Sequence, residues 1–304
     1  MARFRRFGPL AALGLLGAVG LVVGISGCTS AASSAQVADL HRRAVEALAR
    51  WDADVSAGAG GSGFVLVGES TLMVGDDWGP NIDGGNAKMA WDAGLLVAPN
   101  PLPSDAPPDG QVEWQNGTTH TVPVISAEQA FTDMKAAGVS PCSDCTPLQV
   151  TGATLTTATF QSSRGPAQVP AWEFSLKDTD VKLDQEAVGG QPAAPPYMGP
   201  PVTQPWVGPP VESASVDSSG MTLTVSFIGA PDPGDKPCGA DYTAEAIESD
   251  AAVVVIVYEH NNPLPAMCSD VGAFRTAQVT LAKPFGNRTL IDLTAQPISV
   301  TAAH

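Results

Sequence analysis

Apolar positions change their spacing several times along the chain, and each change marks an element. Val37, Leu40, Ala44, Leu48, Trp51 and Val55 recur every three or four residues, which is one stripe of a helix over residues 37–55. Such a stripe predicts packing against the domain that the helix precedes. Residues 64–67, 71–74, 88–98, 111–114 and 119–125 read as short strands, with Asn116-Gly117 as a hairpin signal between the last two. Ser126, with Gln129 three residues on, forms a capping box that opens a helix ending at Gly138. Two longer strands follow at 149–161 and 168–176, turning through Ser162-Ser163-Arg164-Gly165-Pro166.

Residues 189–210 differ in kind. Eight prolines fall there, at 192, 195, 196, 200, 201, 205, 209 and 210, with Tyr197 and Trp206 between them. That density opposes helix and central strand and favours an extended spacer. Beyond it, Leu223, Val225 and Phe227 alternate with Thr222, Thr224 and Ser226, the pattern of a half-buried strand. The unbroken run Val253-Val254-Val255-Ile256-Val257 suits a strand buried on both faces. Further strand patterns at 274–281, 289–293 and 298–301 are spaced as in a sandwich, and 241–250 fits helix or strand. The predicted fold class is α+β, mostly β. An N-terminal helix and a mixed helix and antiparallel-sheet domain (37–188) precede the Pro-rich linker (189–210) and a β-sandwich-like domain (211–304).

The first 28 residues carry the most specific motif. Arg3, Arg5 and Arg6 precede residues 10–25, an apolar run without a charge that is too short to span a bilayer. The run ends in Ile25-Ser26-Gly27-Cys28. This resembles the lipobox of bacterial prolipoproteins: an aliphatic residue, two small residues, then the cysteine that receives lipid. The resemblance implies a signal peptide over residues 1–27, cleavage before Cys28, a diacylglyceryl group on its thiol, and a short spacer to residue 36. It places the mature protein on the extracytoplasmic face of the cell membrane. Many Ala, Gly, Pro and Val residues with few Lys resemble the composition of secreted lipoproteins from high-GC bacteria.

Charge and cysteine usage fit that address. The 304 residues hold 15 Lys and Arg against 31 Asp and Glu, a net charge of −16. Nucleic acid and anionic lipid are bound by clusters of Lys and Arg, so a nucleic-acid partner is excluded. Lipidation of Cys28 leaves four cysteines, and an oxidising compartment permits disulfides. Cys142 with Cys145 and Cys238 with Cys268 are the favoured pairs, each lying within one domain.

Chemistry is sparse. There is no Gly-x-Ser-x-Gly elbow, His-Glu-x-x-His, Ser-x-x-Lys or phosphate loop, and no cofactor is implied. Gly58-x-Gly60-x-x-Gly63 follows a helix, whereas a dinucleotide fingerprint follows a strand. Asp76, Asp77, Asn81 and Asp83 form the one metal candidate, an irregular calcium loop without EF-hand spacing. The expected role is therefore a non-catalytic envelope or interaction module with an envelope protein or polysaccharide as partner. The alternative is a hydrolase of cell-wall or extracellular polymer that uses a carboxylate pair near Trp78 or Trp172. Two carboxylates converging in a pocket mark the hydrolase, and an exposed apolar or aromatic patch marks the binding module.

Overall fold

The computed structural model describes residues 34–59, 63–80, 82–192, 208–261, 268 and 271–302. The fold is α+β and mostly β, as its periodicities predict. Its first helix, α1, spans Ser34–Ser56. Then follow β1 (Thr71–Val74), α2 (Gly84–Asp92), β2 (Leu96–Val97), β3 (Gly110–Trp114), β4 (Thr119–Val122), α3 (Ala127–Ala136), β5 (Leu148–Ser162), β6 (Gly165–Leu176) and β7 (Lys182–Glu186). These seven strands form one sheet. β5 runs antiparallel along the whole of one edge of β6. The other edge of β6 is shared, with β3 meeting Ala167 and Gln168 and β7 meeting 171–175.

α2 and α3 cover one face of this sheet, burying Ala87, Ala90, Ala130 and Met134 with Trp172, Phe174 and Leu183. The opposite face buries Phe64, Val112, Trp114, Val122, Phe160 and Val169. Ser126 caps α3 by accepting from the Gln129 amide at 3.2 Å, as its sequence position predicts. The hairpin at Asn116-Gly117 forms with three loop residues. The Gly117 amide closes on the Trp114 carbonyl at 2.8 Å, and Gly117 takes φ +79°, the left-handed region that a side chain disfavours.

Residues 88–98 do not form a strand. The Asp83 carboxylate accepts from the Gly85 amide and caps α2, and Ala87 and Ala90 lie three apart on its buried face. Strand structure begins at Leu96. Residues 64–67 likewise contribute only a bridge between Leu66 and Ser162.

The C-terminal strands are β8 (Ser213–Val216), β9 (Thr222–Gly229), β10 (Ala240–Glu248), β11 (Ala252–Asn261), β12 (Ala273–Thr280), β13 (Thr289–Ile291), β14 (Pro297–Ile298) and β15 (Val300–Ala302). They form two four-stranded sheets, β10-β11-β13-β14 and β12-β9-β8-β15. Between them lie Leu223, Val225, Phe227, Val253, Val255, Val257 and Leu290. Val254 and Ile256 point the other way, so the β11 run is buried on both faces as expected.

What covers that second face corrects the expectation for α1. The helix packs mainly on the sandwich, and Val65 is the one described residue of the domain it precedes that joins the buried cluster. Its stripe of Leu40, Ala44, Ala47, Leu48 and Trp51 clusters with Ala252, Val254, Ile256 and Ile291 of the sandwich. A strand apolar on both faces needs a second cover, and the fully buried Ala44 and Ala47 allow close approach. The tip of the β5–β6 hairpin joins the two sheet units. The Ser163 amide donates to Val65 at 2.8 Å, and the Ser163 carbonyl accepts from Val300 at 3.0 Å. Residues 193–207 of the Pro-rich stretch, with Tyr197 and Trp206, lie outside the described residues.

Among the described residues, one ion pair is buried in the sandwich. Arg288 donates to the Glu248 carboxylate at 2.6 Å and to the carbonyls of Lys283, Pro284 and Phe285. Burial opposes ionisation of Glu248, but the Ala282 amide and Arg288 outweigh it and hold the carboxyl below its ordinary range. Glu248→Gln leaves the guanidinium buried without its counter-charge. Urea unfolding at pH 7 should show a loss of about 2 kcal/mol, and that loss should shrink as acid protonates Glu248 in the parent.

Candidate functional sites

The acidic loop uses its carboxylates locally. Asp77 accepts from the Gly79 amide and Asp83 from the Gly85 amide, both at 2.9 Å. Each is a backbone-capping bond of the kind aspartate makes in turns and at helix starts. Asn81 lies outside the described residues, and Asp76 is exposed. Trp78 packs against the core beneath α2 and α3. Among the described residues no group of three or more His, Cys, Asp or Glu is placed to hold a metal ion.

Both disulfides form as predicted. Cys142 and Cys145 are bonded with Cα atoms 5.6 Å apart, and Cys238 and Cys268 with Cα atoms 5.5 Å apart. The first staples the loop after α3. Asn86 pairs with both backbone groups of Thr146 at 3.0 and 2.8 Å, and the amides of Val139 and Ser140 donate to Asp92. Cys142 follows the C-terminus of α3, so no helix N-terminus stabilises a thiolate there. The bond is structural.

Carboxylates do gather near Trp172, but not in a groove. The Trp172 indole is buried and donates to the Ile125 carbonyl at 2.9 Å. On the neighbouring strand, Asp184 sits directly opposite Glu173. Burial, reinforced by the Glu173 charge, raises the Asp184 pKa. Glu186 is pushed up to about 8, chiefly by burial, with the Val188 amide opposing and the Asp133 charge adding. A glycosidase pair needs one carboxyl kept protonated beside another that ionises, both facing the substrate. An open groove of about 610 Å³ is lined instead by Gln111, Glu113, Leu155, Thr157, Gln168 and Pro170, and its second carboxylate is Asp109. Asp109 and Glu113 are both exposed. Neither Asp184 nor Glu186 is among the residues that line this groove.

No family model, curated protein or solved structure matches the chain.

Sequence patterns missed the polar seam that fixes α1 to the sandwich. His41 lies 2.9 Å from the Glu245 carboxylate, which also accepts from the Tyr258 hydroxyl at 2.9 Å. Asp52 accepts from Ser249 at 2.8 Å, and His260 pairs with Thr243 at 2.9 Å. Burial first and the Glu245 carboxylate second push the Tyr258 phenol up, which keeps it protonated and a poor nucleophile. The His41–Glu245 and Asp52–Ser249 contacts of the seam fasten α1 to β10 and the turn after it.

An apolar patch lies on the outer face of the other sheet. Phe274 is 82% exposed and stands directly opposite Ile228, itself 41% exposed, with Val271 nearby at 60%. The alternation of β12 already sets this phenylalanine apart, because Phe274 shares its phase with Thr276, Gln278 and Thr280 while Ala277 and Val279 face the core.

Proposed function

We propose that the protein is a lipid-anchored extracytoplasmic module that binds without catalysis. The observation that carries this reading is Ile25-Ser26-Gly27-Cys28 at the end of a charged and then apolar leader. The two disulfides support an oxidising compartment. Among the described residues no helix is long and apolar enough to cross a membrane, so the described part supplies no helical span of its own. That neither Asp184 nor Glu186 lines the grooves favours binding over hydrolysis. The partner class is an envelope protein or polysaccharide. The open groove beside Gln168 offers amides, hydroxyls and an apolar floor without Lys or Arg among its lining residues.

Cell fractionation tests the anchor. The parent should sediment with membranes and partition into detergent. Cys28→Ala should move to the soluble exported fraction or accumulate unprocessed. A variant that is processed and stays on the membrane as before refutes the reading. Capture of cross-linked partners from intact membranes, with the lipidated parent, then reads out the ligand class.

A further inference from the structure

α1 runs beside β10 in the same direction, with His41 next to Glu245 and Asp52 next to Ser249. Ser34, seven residues before His41, lies about 10 Å further along the helix axis. That brings it level with the first residues of β10, near Tyr242. The apolar patch sits at this same end of the sandwich. The Tyr242 hydroxyl accepts from the Ala230 amide at 2.6 Å, two residues from Ile228. Arg275, next to Phe274, lies over the Tyr242 ring at 5.5 Å and donates to the Ala240 carbonyl at 3.4 Å. Further along β9 and β12 the outward pairs are Ser226 with Thr276, Thr224 with Gln278 and Thr222 with Thr280, all polar. On the outer face of the paired β9 and β12, apolar side chains thus face out at the end where α1 begins. Gly272 draws the chain in close: a Cβ there would stand 2.3 Å from the Ile228 side chain.

We propose that Phe274, Ile228 and Val271 form a bilayer-contacting surface, seated at the membrane interface beside the anchor. This rests on the reading that Cys28 carries lipid. Residues 28–33 span at most about 20 Å when extended, comparable with the sheet and helix layers that separate the start of α1 from the patch. Aromatic and aliphatic side chains gain by entering the boundary between headgroups and acyl chains. Without the three arginines of residues 1–27 the chain holds 12 Lys and Arg against 31 Asp and Glu, a net charge of −19. This charge, with Asp241 and Glu259 at this end, opposes recruitment by anionic headgroups. The surface is therefore zwitterionic lipid. The anchor supplies the local concentration and the patch sets the orientation.

The test uses the full lipidated chain in phosphatidylcholine vesicles that carry brominated lipid. With Cys28 acylated and the other four cysteines bonded, Phe274→Cys offers one thiol for an environment-sensitive dye. Val139→Cys, 84% exposed beyond α3, is the reference. Quenching at 274 should be at least about threefold that at 139, Val271→Cys should follow 274, and adding Ile228→Ser should lower the signal at 271. Equal quenching at 274 and 139 overturns the proposal. The mass of the N-terminal peptide reports the anchor independently. If Cys28 proves unmodified, the same variants are held on a nickel-chelating lipid by hexahistidine in place of residues 1–28. Quenching at 274 on that tether then keeps the patch and refutes only the anchor, whereas an acylated Cys28 with equal quenching refutes only the patch.

Discussion

Trp51→Ala should lower the stability of the protein by about 3–5 kcal/mol, the range for removing a buried aromatic side chain. Trp51 is 3% exposed and closes the cluster that α1 makes with Val254, Ile256 and Ile291. The rim is too polar and too open to compensate, because the bonds of His41 to Glu245 and Asp52 to Ser249 are only partly buried. Val45, on the same helix but 56% exposed, is the control, and its alanine variant should change little. Urea unfolding followed by circular dichroism measures both. Equal midpoints for the two variants would show that α1 contributes nothing to the sandwich. The same contact alters what a fragment can do. Residues 211–304 alone should bind a hydrophobic dye and unfold with little cooperativity, because their β11 face is uncovered. Adding a peptide of residues 34–56 should reverse both effects.

Glu186→Gln should raise stability at alkaline pH by several kcal/mol. The Glu186 carboxyl has a pKa of about 8 in the fold against 4.5 ordinarily. Between these values the folded chain holds a proton that the unfolded chain releases. Stability contributed by this group is therefore full below pH 4.5, falls as pH rises through the window, and levels off above 8, a change of about 5 kcal/mol at most. Glutamine keeps an acceptor for the Val188 amide, which Glu186 meets at 2.6 Å, and removes the titration. Unfolding free energies at pH 5 and 8 should converge in the variant and diverge in the parent. Parallel pH profiles would place the titration elsewhere.

Much of the sandwich was legible because its strands bury what they alternate. Leu223, Val225 and Phe227 are all fully buried, and the run from Val253 to Val257 divides between two cores. Ser126 was legible because capping is local. α2 was not, since the apolar residues of 88–98 satisfy strand and helix spacing alike and the decisive cap, Asp83, also reads as a calcium ligand. β7 was not, because Lys182-Leu183-Asp184-Gln185-Glu186 has a single aliphatic residue and is buried by its neighbours. The partner of α1 was hidden for a different reason. A stripe shows which side of a helix is apolar and never which surface receives it, and His41 meets Glu245 across 204 residues.

That separation also bears on how the protein is made. On the lipid-anchored, exported chain proposed above, the N-terminus would cross first and α1 would stay next to the membrane while its partner strands, β11 and β13, are still being delivered. Trp51 and its stripe have no native cover until residues 252–291 arrive, and the contact closes a loop of about two hundred residues, whose entropy must be met before any gain is realised. The interval leaves a sticky helix beside a lipid surface and, at high density, beside other copies of itself. Arrival of the last strands ends that exposure, so the residence time of the unpaired helix is set by the rate at which the C-terminal third is delivered.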